Sequence, residues 1–166
     1  MNARWSPAVA VLALALALGG CALDPSRLPL GTTKAEALQR LGPPTSTYPM
    51  PAGGERLQYS RGPSGFTVSN LDVDATGKVV SVRQELDDTM FDSTVKVDQW
   101  HVPDVLRSYG RPYQVSRVLA FNGEVWAWHY RSNNMPRLFY IYVDPDGLVV
   151  RYHTADDLSI DARDRR

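Results

Sequence analysis

Cys21 is the only cysteine of the 166-residue chain, and it follows Leu18-Gly19-Gly20. A small and apolar run, residues 8–18, stands before it and is headed by Arg4. A basic start, an apolar core of this length and small residues at its end describe a secretory signal. The run is shorter than the ~20 apolar residues that a membrane-spanning helix needs. Such a signal leads to an oxidising compartment, where a lone thiol has no disulfide partner in its own chain.

The other reactive side chains fall short of a site. His101, His129 and His153 lack metal-ligand spacing, and no second cysteine could help them. Asp72-Val73-Asp74-Ala75-Thr76-Gly77 opens like a calcium loop, but Arg83 stands where that loop needs a bidentate Glu. The segment reads as a β-turn. Gly62-Pro63-Ser64-Gly65 lacks the Gly-x-Ser-x-Gly pattern of a nucleophile elbow. Asp87-Asp88 and Asp156-Asp157 are adjacent pairs at strand ends, and neighbours on an extended chain point to opposite faces. Both pairs read as solvated boundaries. The expectation is a protein without catalytic residues, metal or bound cofactor.

The remaining feature is aromatic. Trp126, Trp128 and Tyr130 alternate along one segment, and Tyr140 and Tyr142 along the next. One reading gathers all five on an open sheet face as a protein-docking surface, since Trp and Tyr are enriched in binding hot spots. The other places them beneath helices as core. Both faces of these segments are apolar, so the pattern leaves the choice open. A sheet apolar on both sides has both covered, the second by residues 87–99 or by another protein.

The elements that position these residues are marked by local chemistry. Residues 22–30 hold Pro25 and Pro29 without periodicity and read as a tether of roughly 30 Å when extended. Thr33 with Glu36 forms a capping box; Ala35, Leu38 and Leu41 follow at helical spacing; Gly42 and Pro43-Pro44 end the helix. Residues 48–55 are turn-rich. Three strands are expected over 56–61, 66–74 and 78–86, with Asp74-Ala75-Thr76-Gly77 a type I turn between the last two. In the third, Val80 and Val82 share one face, and Val79 the other. A second helix is expected near 102–109. Leu41-Gly42-Pro43 is echoed by Tyr109-Gly110-Arg111-Pro112, Leu57-Gln58-Tyr59 by Trp128-His129-Tyr130, and Asp74 to Val79 by Asp144 to Val149. The offsets are 68, 71 and 70 residues.

This periodicity predicts an α+β fold made of two tandem helix-plus-three-strand units. The units would lie side by side in one larger antiparallel sheet with helices on one face. The expected divisions are a signal peptide over 1–20, a tether over 21–30, units over 31–86 and 87–155, and a charged tail over 156–166. With residues 1–20 removed, 17 basic side chains face 18 acidic ones. That balance argues against nucleic acid and gives no polybasic membrane patch.

Leu18-Gly19-Gly20-Cys21 resembles the lipobox of bacterial lipoproteins. The resemblance implies cleavage between Gly20 and Cys21, diacylglycerol on the Cys21 thiol and acylation of the new amino terminus. Ala22, in a place where Asp would retain the protein at the inner membrane, implies delivery to the outer membrane. Gly31-Thr32-Thr33, Leu41-Gly42-Pro43, Leu57-Gln58-Tyr59 and Asp74 to Val79 resemble the SmpA/OmlA (BamE-like) family of outer-membrane lipoproteins. Trp128-His129-Tyr130 and Asp144-Pro145-Asp146-Gly147 resemble a second copy. The resemblance implies a periplasm-facing accessory of the β-barrel assembly machine or of envelope maintenance. Tandem copies also resemble the β-lactamase inhibitor protein, which implies the alternative of a module that grips a periplasmic enzyme with a sheet face.

Overall fold

The computed structural model describes residues 24–61 and 65–158. Cys21 and the residues of the signal lie outside them, as do 159–166 of the tail. The fold is α+β, with three α-helices and two antiparallel four-stranded sheets among the described residues. Helix α1 is Lys34–Leu41, and the first sheet follows as β1 (Ser46–Pro49), β2 (Glu55–Ser60), β3 (Val68–Val73) and β4 (Val79–Gln84). Helices α2 (Asp88–Thr94) and α3 (Val102–Tyr109) come next. The second sheet is β5 (Gln114–Ser116), β6 (Glu124–Ser132), β7 (Met135–Val143) and β8 (Val149–Asp156). Each sheet runs in chain order.

The expected single sheet is therefore two sheets, each with one strand more than predicted. The added strands, β1 and β5, are short edges in turn-rich sequence, and β1 ends in Pro49. Proline suits an edge, where a missing donor costs nothing. The sheets do not merge because α3 lies between them.

The first core packs α1 against one face of the first sheet. Ala37 and Leu41 meet Leu57, Leu71, Val73 and Val79, with Leu38 alongside. The buried stripe starts at Ala37, whereas Ala35 is exposed. Thr33 and Glu36 make both bonds of the capping box. A further correction concerns Val79. The register slips between Asp72/Val73, so Val73 pairs with Val79 and Asp72 with Ser81. The bulge leaves Val80 outside, 52% exposed, and turns both Val79 and Val82 to the core.

The expected tether is also shorter than its sequence span. Asp24 accepts from the Ser26 N–H and caps a 3-10 turn at Pro25–Arg27. Leu28 is buried in the first core, and the Gly31 N–H donates to the Val79 carbonyl. An apolar side chain with a place in the core keeps this segment on the domain.

The second core is larger. On the inner face of the second sheet, Trp126, Trp128, Tyr130, Phe139 and Ile141 meet Val105 and Tyr109 of α3 and Phe91 of α2. Phe91 stacks on Phe139 at 3.8 Å and meets Tyr130 and Tyr109 edge-on. Segment 87–99, expected as a cover, supplies α2 on the same side as α3.

The other face of the first sheet is polar yet buried, because the end of α3 rests on it. Gln58 Nε2 donates to the Leu106 and Arg107 carbonyls, and Asn70 Nδ2 to the Ser108 carbonyl at 2.9 Å. Tyr48 donates to the Leu106 carbonyl as well. These are carbonyls of the last helical turn, which intrahelical bonding leaves open. Gln58 also donates to Asn70 Oδ1, and Asn70 to Glu85 Oε1. Beside them Arg56 makes a two-pronged bond to Asp72. The layers thus run α1, first sheet, α3, second sheet.

Gly110, at the α3 C-cap, has φ +65°, and a Cβ there would lie 3.0 Å from Gln58 Oε1. Gly42 caps α1 with φ +79° and open space around it. Left-handed strain costs about 1–3 kcal/mol at a non-glycine residue. Gly42→Ala should show that strain alone. Gly110→Ala should lose more, because Gln58 must also give way. Chemical denaturation of the two variants measures the difference.

Candidate functional site

The strand registers decide which aromatics share a face. Trp126 pairs with Ile141, Trp128 with Phe139 and Tyr130 with Arg137. Tyr140 pairs with Ala127 and Tyr142 with Val125. Directly paired residues lie on one face, so the five aromatics divide into two sets. Trp126, Trp128 and Tyr130 are inner core, at 8%, 3% and 0% exposure. Tyr140 and Tyr142 lie on the outer face. The five residues do not form one docking face, since a shift of one position reverses a strand's faces. Three are core, and on the outer face Tyr142 is also buried, which leaves Tyr140 half-buried.

On the outer face β8 adds Arg151 opposite Tyr142 and His153 opposite Tyr140. Tyr140 and His153 stack at 4.7 Å with planes 12° apart. The Arg151 guanidinium lies 3.8 Å above the Tyr142 ring, and Phe121 meets that ring edge-on. Arg151 and His153 are exposed and Tyr140 is half-buried. Burial, aided by the Arg151 charge, lowers the His153 imidazole below its ordinary range. Burial, aided by the charge of Asp157, raises the Tyr140 hydroxyl. At neutral pH the face carries a guanidinium, a phenolic O–H and an imidazole, all donors, beside the buried Tyr142 ring.

The face is bordered by His129, whose ring lies 4.0 Å from Tyr113 and 5.9 Å from Phe66. Its Nδ1 is 2.8 Å from Asp157 Oδ2. Both partners are buried, so Asp157 is an internal carboxylate and not the solvated boundary expected of it. The imidazole supplies the compensation that a buried charge requires. The Asp157 N–H donates to the Pro136 carbonyl, which fixes the end of the described chain. Near this edge Arg131 lies 4.6 Å over Phe66 and lines a groove of about 970 Å³ with Leu41, Tyr59, Arg61 and Asp24. Sequence reasoning missed Arg151, His153 and Tyr113. For Arg151 and His153 the signal was the alternation in β8, masked by a second bulge at Tyr142/Val143.

The inner face has its own polar anchors. Tyr130 donates to Asp88 Oδ1 at 2.5 Å, and Tyr152 donates to Asp92 Oδ1. The two carboxylates are one helical turn apart on α2, so both bonds pin it to the sheet. Burial and the Asp88 bond push the Tyr130 hydroxyl up to about 12. A group with a raised folded value contributes stability that is whole below the unfolded value near 10 and is lost through 12. Stability should therefore fall as pH rises across 10–12. Tyr130→Phe should flatten that slope in alkaline denaturation curves.

Among the described residues no group of three His, Cys, Asp or Glu side chains could hold a metal ion. None of their helices is long and apolar enough to cross a membrane.

No family model matches the chain, and no curated protein does. Two solved structures align with it. One is a DUF4309 family protein, YjgB from Bacillus subtilis, at TM-score 0.32 and 9% identity, covering 76% of this chain and 79% of that one. The other is an extracellular protein containing a SCP domain from Bacillus anthracis, at TM-score 0.30 and 15% identity. It covers 82% of this chain and 46% of that one. Likeness this distant carries no function across.

Proposed function

We propose that this chain is a non-catalytic outer-membrane lipoprotein of the SmpA/OmlA (BamE-like) kind. It is anchored through Cys21, faces the periplasm, and binds a protein partner in barrel assembly or envelope maintenance. Its body is a tandem of two units over 31–86 and 87–155, in which α1 and α3 are each followed by four strands and α2 is an addition to the second. Several acyl chains on one residue supply stable anchoring, because each buried methylene contributes about 0.8 kcal/mol.

The observation that carries the tandem reading is one device used twice. Thr33, preceding α1, bridges to Lys78, and His101, preceding α3, bridges to Leu148. Asp74 accepts from the Thr76 and Lys78 N–H groups, and Asp144 from those of Asp146 and Leu148. Bulges follow the same pattern, with Val73 opposite Val79 and Val143 opposite Val149. In this alignment Leu57 matches Trp126, each being opposite a buried residue of the next strand, Leu71 or Ile141. The offset there is 69 residues, and the echo of Leu57 in Trp128 moves by two.

The test is crosslinking in cells, then purification through a C-terminal tag, with Cys21→Ser as control. Recovery of barrel-assembly subunits that depends on Cys21 supports the proposal. Unchanged membrane fractionation of Cys21→Ser removes the anchor. A second reading, a module that inhibits or binds a periplasmic enzyme, is favoured by the exposed Arg151 and His153. It predicts recovery of one soluble enzyme instead.

A further inference from the structure

The connection between β5 and β6, residues 117–123, is apolar at its tip. The Phe121 N–H donates to the Val118 carbonyl and closes a turn with Leu119 and Ala120 at its corners. Turn corners usually hold Gly, Pro, Asn, Asp or Ser, which set the backbone or bond to it. Leu119 does neither and is fully exposed, and Val115 and Val118, just before it in the chain, are exposed as well. The matching connection of the first unit, between β1 and β2, exposes only Pro51, Ala52 and Gly53. The apolar loop is also firmly held. The Phe121 ring meets Tyr142 edge-on, and Glu124 accepts from Trp126 Nε1. A Cβ at Gly123 would lie 2.3 Å from the Val143 carbonyl oxygen, so the end of the loop is pressed against β7.

We infer that Leu119 is the tip of a docking knob that enters an apolar pocket, rimmed by a carboxylate, on a partner protein. The inference names a binding surface for the protein-binding reading above and rests on it. Three observations argue for this occupant. The knob is pre-formed, which lowers the ordering cost of binding. Arg117 at its base has a side chain 82% exposed, and its ion pair with Glu124 is long, at 3.6 Å. An exposed pair of that kind holds weakly, so the guanidinium is free to meet an acidic rim. The third observation is position. Asp24 and Arg131 line one groove, and Cys21 stands three residues before Asp24, a reach of about 10 Å at most. Glu124 starts β6 beside the loop, and the rise along β6 from Glu124 to Arg131 is about 24 Å. The lipid anchor and the knob thus belong to opposite ends of the strand, which favours a protein over the bilayer.

The test places p-benzoylphenylalanine at Leu119 of the full-length chain and irradiates intact cells. The expected product joins this chain to one other protein, at a peptide with apolar residues and an Asp or Glu. Leu119→Ser should lower recovery of that protein through a C-terminal tag at least tenfold, the scale of one apolar side chain returned to water. Leu119→Met should retain it. Thermal unfolding of Leu119→Ser should not change, because the side chain is fully exposed. Leu158→Ser, at another exposed leucine, should leave recovery as it was. A product with lipid, a product with a second copy of this chain, or no product overturns the inference. So does recovery that Leu119→Ser leaves unaltered, or a loss that tracks lost stability. A Leu119-dependent partner outside barrel assembly upholds the inference and removes the assembly reading. Assembly subunits recovered equally with Leu119→Ser overturn the inference and keep that reading.

Discussion

Replacing Trp128 by Ala should lower stability by about 3–5 kcal/mol, the usual cost of truncating a large buried aromatic. Trp128 is 3% exposed, and its ring lies within 6.0 Å of Tyr109 and 5.9 Å of Phe139. The void would open where α3 meets the second sheet, so the helix and sheet would loosen together. Tyr140→Ala, half-buried on the other face, should cost far less. Urea unfolding of the two variants separates core from surface directly. Equal stability losses, or a stable Trp128→Ala protein that has lost a partner, would reverse the face assignment.

The second large effect is expected at Asn70, which is 1% exposed. Its amide satisfies the Ser108 carbonyl, Glu85 Oε1 and Gln58 Nε2 together. Asn70→Leu keeps the approximate volume and removes every one of those bonds. Each buried polar group left unpaired costs about 1–3 kcal/mol. The loss should therefore rival that of Trp128→Ala although no cavity is made. Hydrogen exchange should locate it in the contact between α3 and the first sheet. Gln58→Leu alone should cost less, since Asn70 still holds Ser108. The double variant should lose less than the sum of the two, because the residues act as one network. Additive losses would mean that the bonds work independently.

What the sequence made legible follows from how local each signal is. Thr33 with Glu36, Gly42 before two prolines, and the Asp74 and Asp144 turns each settle their structure within a few residues. Helix α1 and both turn devices stand where those signals put them. Face assignment is different, because it depends on phase. One extra residue at Val80 turns Val79 inward, and the paired strands β6 and β7 are apolar on both sides. Period-2 reasoning could not tell that Trp128 and Tyr140 point apart. The polar strand residues Gln58 and Asn70 held a stronger clue. A Gln and an Asn that are buried need partners, and theirs lie 48 and 38 positions away in α3. Proximity of that kind leaves no periodic trace. Of the candidate site, Tyr140 and Tyr142 were readable as aromatics of undecided face, while their cationic neighbours were not. Cys21 rests on sequence alone.

The seat of α3 on the first sheet also bears on how the chain reaches its final state during synthesis. Translation delivers residues 24–86 first, with Gln58 and Asn70 still facing water. Their permanent acceptors arrive only with Leu106, Arg107 and Ser108. The N-terminal half is thus a provisional structure until α3 emerges, and its later strengthening comes from residues of the other half. Two halves built on one plan would in this way mature as a single cooperative body, with the older half waiting for the younger.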